Sequence, residues 1–455
     1  MPEFMIACLR SPLGGLFAQP WFDRAALAFL SGWFFPLSRL WAAARAAEGS
    51  VERYLAEVGI SPSPRMERAL ESRLARFERV RAQALQSERA WEDAFFGPAA
   101  PSPAALGEAE RARLLDRHAY NVLRRSFAPF AAWGRAAPFR WRIPEPAEVE
   151  ALYGGLLAEP ARAFAVPDPM PSIRVSHAFP AAPGRRDYWI RFPSPSARMG
   201  DEVIARVYEP AGAADPPTLI FGHGIGVEFD HWRGVADETE GLVAMGVRVV
   251  RPEAPWHGRR VLPGRYGGEQ FVATAPCGAF DHFTAAVREW AVLIDWCRRA
   301  GRGPVAIGGS SLGAMTAQIV SDRARGWPER LRPDAMFLVT HCGRIEEAMQ
   351  GSLARAWGIA GATMAHGWTP ELAGRFMPLL DPVDETSVAP ENIVSVLGAY
   401  DRVTPYGGAR ALIDRWGVPG HNRFIWRRGH FSVPLTMLRN RAPLTRFREV
   451  MANLA

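Results

Sequence analysis

The spacing of apolar residues along the chain changes at about residue 173. Before that point, apolar residues recur every three or four positions between charged ones, a period typical of amphipathic helices. After it, short apolar runs alternate with helical stretches, which indicates a mostly parallel sheet with helices on both faces. The clearest helical face carries Met66, Leu70, Leu74, Phe77 and Val80.

Two regions follow from this change in pattern. Residues 1–150 are predicted to form a helical N-terminal region, with an accessory, oligomerisation or membrane-proximal role. Residues 151–455 are predicted to form an α/β region. The predicted strands are runs rich in β-branched and aromatic residues, bounded by Pro, Gly and Ser. They cover 174–179, 188–192, 203–208, 218–221, 247–250, 305–307, 335–340, 393–398 and 423–426.

The most apolar part of the N-terminal region is the segment 23–47. It is interrupted at Gly32, Pro36 and Arg39, so its continuous apolar length is below the ~20 residues that a bilayer span needs. Two interpretations remain. The segment is a helix at a membrane interface, or it packs on the protein's own core or on a second subunit. The aromatic residues available for either role are Trp33, Phe34 and Phe35.

The composition limits the classes of protein to which the chain can belong. The chain has 455 residues, of which 48% are hydrophobic, enough for a large buried core. Its net charge of +7 comes entirely from arginine, since all 54 basic residues are arginine. Acidic residues are interleaved with them, so no basic block marks a nucleic-acid interface. Nucleic acid is therefore not an expected partner.

The cysteines indicate no metal site. Cys8, Cys277, Cys297 and Cys342 are widely spaced and form no CxxC pair. Free thiols in a reducing compartment are the simplest interpretation. The N-terminus lacks the continuous apolar stretch and cleavage site of a secretory signal, so a cytoplasmic location is expected.

A candidate nucleophile lies between a predicted strand and a predicted helix. Gly309-Ser310-Ser311-Leu312-Gly313 follows the apolar run that begins at Val305 and precedes a helix. A Gly-x-Ser-x-Gly in this setting is typical of a nucleophile elbow, in which a strained turn lifts the serine above the strand end. Small residues two positions either side of Ser311 permit that turn. The N–H of Leu312, at the start of the helix, is expected to stabilise an oxyanion.

Other chemically active residues follow other strands. Gly222-His223-Gly224 follows the strand 218–221, Asp401 follows 393–398, and His430 follows 423–426. The carboxyl ends of parallel strands meet at one edge of a sheet, where ligand sites collect. The order along the chain is nucleophile, acid, base.

That order, with four motifs, resembles the α/β-hydrolase superfamily over residues 173–455. The motifs are Gly-His-Gly at 222–224, Gly-x-Ser-x-Gly at 309–313, Gly-Ala-Tyr-Asp-Arg-Val-Thr-Pro at 398–405 and Gly-His-Phe at 429–431. Trp-His-Gly-Arg-Arg at 256–260 is more similar to the dienelactone-hydrolase and acetyl-esterase side of the superfamily than to the lipases.

The resemblance implies an α/β-hydrolase fold, with a mostly parallel central sheet flanked by helices. It implies that residues 343–391 form a helical cap insertion. It also implies a Ser311, His430 and Asp401 triad, with the N–H of Ile225 as the second oxyanion donor. Asp381 and Asp384 compete for the acid, and His223, His257 and His341 compete for the base. The expected substrate-pocket residues are His223, Gly224, Phe229, Trp232, Trp256, His257 and His341. For His223 a role in shaping the oxyanion loop is the favoured alternative, and for His257 and His341 a structural role remains equally open.

The leading functional prediction is a serine hydrolase that cleaves a small-molecule or lipid-like carboxylic ester through an acyl-enzyme intermediate, with no metal or organic cofactor. An acyltransferase, thioesterase or peptidase on the same triad remains an alternative, because pocket shape separates these activities. In a further alternative, the hydrolase fold is a non-catalytic scaffold and the N-terminal helices bind a partner or a membrane. A homo-oligomer is also possible.

Overall fold

The computed structural model describes residues 14–59, 63–134, 137–226, 238–382 and 385–455. Its first part is helical, as the apolar period predicts. The α-helices here are α1 (Gly14–Phe17), α2 (Pro20–Phe29), α3 (Phe35–Ala47), α4 (Val51–Val58), α5 (Pro64–Phe96), α6 (Pro103–Val122) and α7 (Ala128–Gly134). A π-helical turn, Leu30–Phe34, joins α2 to α3, and a 3₁₀ turn, Leu123–Phe127, joins α6 to α7.

The predicted apolar face of helix α5 packs into the core. Leu70, Leu74 and Phe77 are fully buried, while Met66 and Val80 at its margins are half-buried. Helices α6 and α7 are divided at the 3₁₀ turn Leu123–Phe127 and not at Pro129, although proline inside a helix usually breaks it. Pro129 lies instead in the first turn of α7, where its missing N–H breaks no helical hydrogen bond.

The apolar segment 23–47 divides into two halves with different environments. Helix α3 is almost entirely buried, and Arg39 pairs with Glu57 at 2.7 Å and donates to the carbonyl of Gly264. This half therefore packs on the protein's own core, and the membrane-interface interpretation is wrong for it. The preceding half keeps the aromatic side chains of Phe29 and Trp33 exposed, and Trp21, just before the segment, is exposed as well.

Two short helices, α8 (Pro146–Leu157) and α9 (Pro160–Ala163), lead to the sheet. Each predicted strand is present, and most extend one to three residues further than predicted. The segment predicted as one strand over 174–179 is divided into two short strands, β1 and β2. The strands are β1 (Arg174–Val175), β2 (Phe179–Ala182), β3 (Arg185–Pro193), β4 (Glu202–Pro210), β5 (Thr218–Gly222), β6 (Arg248–Pro252), β7 (Val305–Ser310), β8 (Ala335–Val339), β9 (Ile393–Gly398) and β10 (Arg423–Trp426).

The strand order is β1-β3-β4-β6-β5-β7-β8-β9-β10, with β2 paired to β3. Strands β5 to β10 run parallel to one another, whereas β4 pairs antiparallel with β6, and β1 to β3 add further antiparallel pairings. The pairing places Gly222 of β5 opposite Gly309 of β7, so the loops after these strands leave the sheet side by side. In the sheet, β6 lies between β4 and β5, so β5 and β6 stand in the reverse of their order along the chain. This strand order confirms the predicted α/β-hydrolase fold.

Helices cover both faces of the sheet and fill the long insertion. They are α10 (Glu240–Ala244), α11 (Glu269–Ala273), α12 (Cys277–Ala300), α13 (Leu312–Arg323), α14 (Ile345–Met349), α15 (Ser352–Trp357), α16 (Ile359–Ala365), α17 (Pro370–Phe376), α18 (Tyr406–Arg415), α19 (Ser432–Met437) and α20 (Ala442–Asn453). Short 3₁₀ turns cover Gly258–Arg260, Ala324–Gly326, Glu329–Leu331, Met377–Leu379, Pro390–Asn392 and Gly420–Asn422. Helices α14 to α17 form the insertion between β8 and β9.

The N-terminal helices share their core with the sheet. One apolar cluster contains Trp41 and Phe77 of the helices, Ile307 of β7 and Trp357 of the insertion. Buried charges connect the same regions. No helix in the described part of the chain has both the length and the apolar character that a bilayer crossing requires.

A buried ion-pair network joins α6 to the sheet. Arg206 of β4 lies 2.7 Å from Glu110 of α6 and 2.6 Å from Asp187 of β3. Removing one member of such a network leaves a buried charge uncompensated, which costs several kcal/mol. The helical region and the sheet are therefore joined by polar as well as apolar contacts.

Candidate active site

The turn between β7 and α13 has the geometry expected of a nucleophile elbow. Ser311 has φ 52° and ψ −115°, a strained conformation for a residue with a Cβ. A Cβ built on Gly309 would lie 2.2 Å from the carbonyl carbon of Gly313. A Cβ on Gly313 would lie 2.2 Å from the carbonyl carbon of Gly222. Only glycine fits at 309 and 313, which is why the motif is readable in the sequence.

The structure brings the three predicted triad side chains together. His430 Nε2 lies 3.1 Å from Ser311 Oγ, and His430 Nδ1 lies 2.8 Å from Asp401 Oδ2. These distances are within the range for proton transfer and for fixing the imidazole tautomer. Asp401 and His430 are both buried, at 7% and 8% exposure, so water screens their interaction weakly.

Asp401 is held by the turn that it begins. Its Oδ1 accepts from the N–H groups of Val403 and Thr404, at 2.8 and 3.0 Å. The hydroxyl of Thr404 lies 2.9 Å from Asp401 Oδ2 and 3.1 Å from His430 Nδ1, and 3.0 Å from the carbonyl oxygen of Thr340. Thr404 was not among the predicted site residues. Its signal is the Asp-Arg-Val-Thr sequence, because Asp commonly bonds to backbone N–H groups two and three residues ahead.

Of the two competing aspartates, Asp381 lies away from His430. Asp381 accepts from the N–H of Ile345 at 2.9 Å, so it caps α14, and burial raises the pKa of its carboxyl above the usual range. Asp384 lies outside the described residues. Asp401 is therefore the only one of the two described candidates that contacts His430.

The loop after β5 carries the expected oxyanion donor, Ile225. This loop lies beside the elbow, because Gly222 and Gly309 are register partners and Gly313 packs on Gly222. Leu312 begins α13, as expected for the other donor. Both N–H groups thus belong to backbone that leaves the same edge of the sheet.

Two histidines hold this loop by its backbone. His257 Nε2 accepts from the N–H of Gly226 at 3.2 Å, and His257 Nδ1 lies 2.9 Å from the carbonyl of Pro255. His223 Nε2 accepts from the N–H of Ala254 at 3.1 Å, and its Nδ1 lies 2.8 Å from the carbonyl of Gly224. Each ring accepts at Nε2, so the neutral form carries its proton on Nδ1. Burial, with His257 nearby, lowers the pKa of His223 well below its ordinary value.

His341 also supports the framework. Its Nδ1 lies 3.1 Å from Gln318 Nε2, and its Nε2 lies 2.9 Å from Ser395 Oγ. The ring is fully buried, and burial lowers its pKa to about 4. The engaged rings of His223, His257 and His341 favour a positioning role over the substrate contact that the sequence predicts.

The remaining predicted pocket residues fall into two groups. Trp256 is buried with φ 63°, an unusual conformation for an aromatic residue, and Gly224 lies in the loop after β5. Phe229 and Trp232 lie outside the described residues.

Trp256, Ser311 and Thr340 all have positive φ, and they follow β6, β7 and β8 at the same edge of the sheet. Backbone strain concentrated at one edge is typical of functional sites.

The apolar residues of the insertion mostly pack against the protein itself. Trp357 contacts Phe35 of α3, with ring centroids 4.9 Å apart, and also Phe139. Trp368 donates to the carbonyl of Pro144, and Phe376 packs on Phe280 of α12. Leu353, Ile359 and Leu379 are also buried, while Met364 is exposed. Most of the large apolar residues of the insertion are therefore occupied by contacts within the protein.

No group of three or more His, Cys, Asp or Glu side chains placed to hold a metal ion occurs in the described ranges.

No protein-family model matches the chain, and no curated protein matches it. Among solved structures, the chain is similar to acetyl xylan esterase 1 from Thermoanaerobacterium sp. JW/SL YS485, at 15% identity over 62% of this chain and 93% of that one, with a TM-score of 0.44. It is similar to an acetyl xylan esterase from Paenibacillus sp. R4, at 12% identity over 68% and 96% of the two chains, with a TM-score of 0.44. It is also similar to an S-formylglutathione hydrolase from Agrobacterium tumefaciens, at 16% identity over 62% and 99%, with a TM-score of 0.38. The assignment of the fold rests on the strand order and the elbow.

Proposed function

We propose that the protein is a serine hydrolase that cleaves a carboxylic ester through an acyl-enzyme intermediate. The observation that carries this proposal is the hydrogen-bonded series from Ser311 through His430 to Asp401, built on a strained elbow. A serine hydroxyl alone is a weak nucleophile at neutral pH. A buried histidine at 3.1 Å, oriented by a buried carboxylate, is the arrangement that activates it.

In the first half-reaction, Ser311 Oγ attacks the ester carbonyl carbon and its proton passes to His430 Nε2. The carbonyl oxygen becomes an oxyanion and accepts from the N–H of Leu312 and the N–H of Ile225. The intermediate collapses, the C–O bond to the alcohol breaks, and the alcohol leaves with the proton from His430. Asp401 stabilises the imidazolium that exists between these two transfers.

In the second half-reaction, water replaces the alcohol. His430 takes a proton from the water, whose oxygen attacks the acyl carbon, and the carboxylic acid leaves as Ser311 regains its proton. No redox step or cofactor is needed for the atoms to balance. An alcohol, a thioester substrate or an amide could enter the same cycle, so acyl transfer, thioester cleavage and peptide cleavage remain alternatives for this triad.

A cytoplasmic location and a small-molecule or lipid-like ester substrate belong to this proposal. The thiols of Cys277, Cys297 and Cys342 are free and buried, which supports a reducing compartment. Association with a membrane or a second copy would involve the exposed aromatic residues of α2 and the π-helical turn, not α3.

The test is covalent labelling with a fluorophosphonate, followed by peptide mapping. Attack by Ser311 Oγ forms an O–P bond and expels fluoride, so an adduct on Ser311 reports an activated serine. The variants Ser311→Ala and His430→Ala are expected to lose the adduct. Ser310→Ala is the matched control, because Ser310 is the adjacent serine and lies within β7.

The same proteins are then assayed with p-nitrophenyl esters of graded acyl length. Hydrolysis by the native chain and by Ser310→Ala, with a loss of about 10⁴-fold or more in Ser311→Ala, is the expected result. Correctly folded native protein that neither labels nor hydrolyses any ester would favour the non-catalytic scaffold instead.

A further inference from the structure

A carboxylate from helix α2 contacts the loop that carries His430. Asp23 lies in the first turn of α2, more than 400 residues before that loop. Its Oδ1 accepts from the N–H of Phe431 at 2.6 Å and from the N–H of Ser432 at 3.2 Å. Its Oδ2 accepts from the hydroxyl of Ser432 at 2.5 Å.

These donors belong to the start of α19. The first N–H groups of a helix have no partner inside the helix and are usually satisfied by a side chain just before it. Here Phe431 is the N-cap of α19, and its side chain makes no capping hydrogen bond. Asp23 supplies the acceptor oxygens instead, and its negative charge suits a helix N-terminus.

The same carboxylate lies against Gly429, the residue before His430. A Cβ built on Gly429 would lie 2.4 Å from Asp23 Cγ, so glycine leaves the space that the carboxylate occupies. The N–H of Gly429 donates to Ser432 Oγ at 2.9 Å, and that hydroxyl donates to Asp23. The Gly-His-Phe motif is therefore bound to α2 on both sides of the histidine.

We propose that Asp23 is a positioning residue for His430, so that the N-terminal helices complete the site rather than only covering it. This inference rests on the proposed hydrolase function. The carboxylate fixes the backbone on both sides of His430, which holds Nε2 within reach of Ser311 Oγ. A misplacement of about 1 Å in a reacting group can cost on the order of 10²-fold in rate.

The experiment compares kcat, KM and fluorophosphonate labelling rate for full-length Asp23→Ala, Asp23→Asn and the native chain. Asp23→Ala is expected to lower kcat and the labelling rate by about 10- to 100-fold with KM nearly unchanged, since it alters the base and not the substrate contacts. Asp23→Asn keeps an acceptor for the N–H of Phe431 and a donor for Ser432 Oγ, so it is expected to recover kcat to within about fivefold.

The matched control is Asp116→Ala. Asp116 is a carboxylate of α6 that accepts an exposed hydrogen bond from Gln83, far along the helical region from α2. Its removal is expected to leave kcat within twofold. Melting temperatures are measured for every variant, because a purely structural role for Asp23 would lower Tm while leaving kcat unchanged at temperatures well below Tm.

A folded Asp23→Ala with native kcat and native labelling rate would overturn the proposal. If Asp23→Ala does not fold, Asp23→Glu decides the question, because it keeps the charge but its extra methylene does not fit against Gly429. Native kcat in Asp23→Glu would also overturn the proposal, whereas a loss of tenfold or more supports it. Absence of labelling in the native chain itself would instead mean that the proposed function has failed.

Discussion

The carboxyl edge of the sheet and the N-terminal helices are built in opposite ways. At the edge, Trp256, Ser311 and Thr340 hold positive φ angles, a strain of about 1–3 kcal/mol each. The helices are mostly regular, apart from the π-helical turn Leu30–Phe34 and the positive φ of Glu48 at the end of α3, and serine side chains cap α4 and α6. A strained edge persists only when its surroundings hold it in place, and the regular helices are part of those surroundings.

The contacts between the two regions show how this works. The ring of Phe35 packs on the oxyanion loop, since a Cβ built on Gly226 would lie 3.3 Å from its Cε1. The same ring contacts Trp357 of the insertion. Together with Asp23 on the His430 loop, α2 and α3 touch both sides of the site. The helical region therefore stabilises the strained edge of the sheet that carries the proposed triad.

The largest expected effect lies at the edge itself. Asp401→Asn is expected to lower kcat by about 10⁴-fold, because an amide leaves the imidazole in the wrong tautomer. Asp381→Asn, the matched control, alters a helix cap and is expected to keep kcat within about threefold. Steady-state kinetics with a p-nitrophenyl ester measures both. Equal losses in the two variants would contradict the assignment of the acid.

The next effect concerns the helices. Trp41 is 1% exposed and packs on Phe77 and Tyr120, so Trp41→Ala is expected to lower the free energy of unfolding by about 3–5 kcal/mol. Trp33, in the same apolar segment, is 44% exposed, and Trp33→Ala is expected to change it by less than about 0.5 kcal/mol.

Denaturant unfolding measures both tryptophan variants, followed by far-ultraviolet circular dichroism and by activity. Because the apolar cluster is shared, the two probes are expected to coincide in one transition. A separate early transition of the helices, with activity retained after it, would show that the regions are independent.

A smaller effect is expected at the oxyanion loop. His257→Leu removes the acceptor for the N–H of Gly226, the residue after the proposed donor Ile225. Its kcat is expected to fall by about 10- to 100-fold with KM little changed, because one oxyanion donor is worth about 10²- to 10³-fold and the loop is only displaced. His366→Leu alters an exposed histidine of the insertion and serves as the control. Native kcat in His257→Leu would show that the loop keeps its shape without the ring.

The smallest effect is a pH dependence of stability. Burial lowers the pKa of His341 to about 4 from an ordinary 6.5, so the unfolded chain binds its proton more tightly than the folded chain does. Stability is therefore fully present above about pH 6.5 and is lost as the pH falls toward 4. Between pH 7 and pH 5 this histidine is expected to reduce the free energy of unfolding by about 2 kcal/mol.

Denaturant titrations at several pH values measure this slope, and His341→Asn is expected to make it shallower. An unchanged slope in that variant would mean that other groups cause the pH dependence. His223, whose pKa is also lowered by burial, is expected to act in the same direction.

Local signals made the edge of the sheet predictable. The Gly-x-Ser-x-Gly turn, the aspartate after β9 and the histidine after β10 each follow an apolar run within a few residues. Parallel strands bring such positions together whatever lies between them. The long-range partners were not predictable in this way. The Asp-Arg-Val-Thr turn gave a weak local signal for Thr404. No motif around Asp23 predicts its contact with Phe431.

The fold class, most of the strand positions and the three residues of the proposed triad were predictable from the amino-acid sequence alone. Turn residues and the spacing of apolar residues are local features that extend over about ten residues, so they can be recognised from neighbouring positions in the sequence. Only the tertiary structure decided that α3 is buried while Trp33 is exposed, that His223, His257 and His341 hold backbone and neighbouring side chains, and that Asp23 caps the helix after His430. These outcomes depend on which surfaces meet when the chain folds, and that is a property of packing across hundreds of residues.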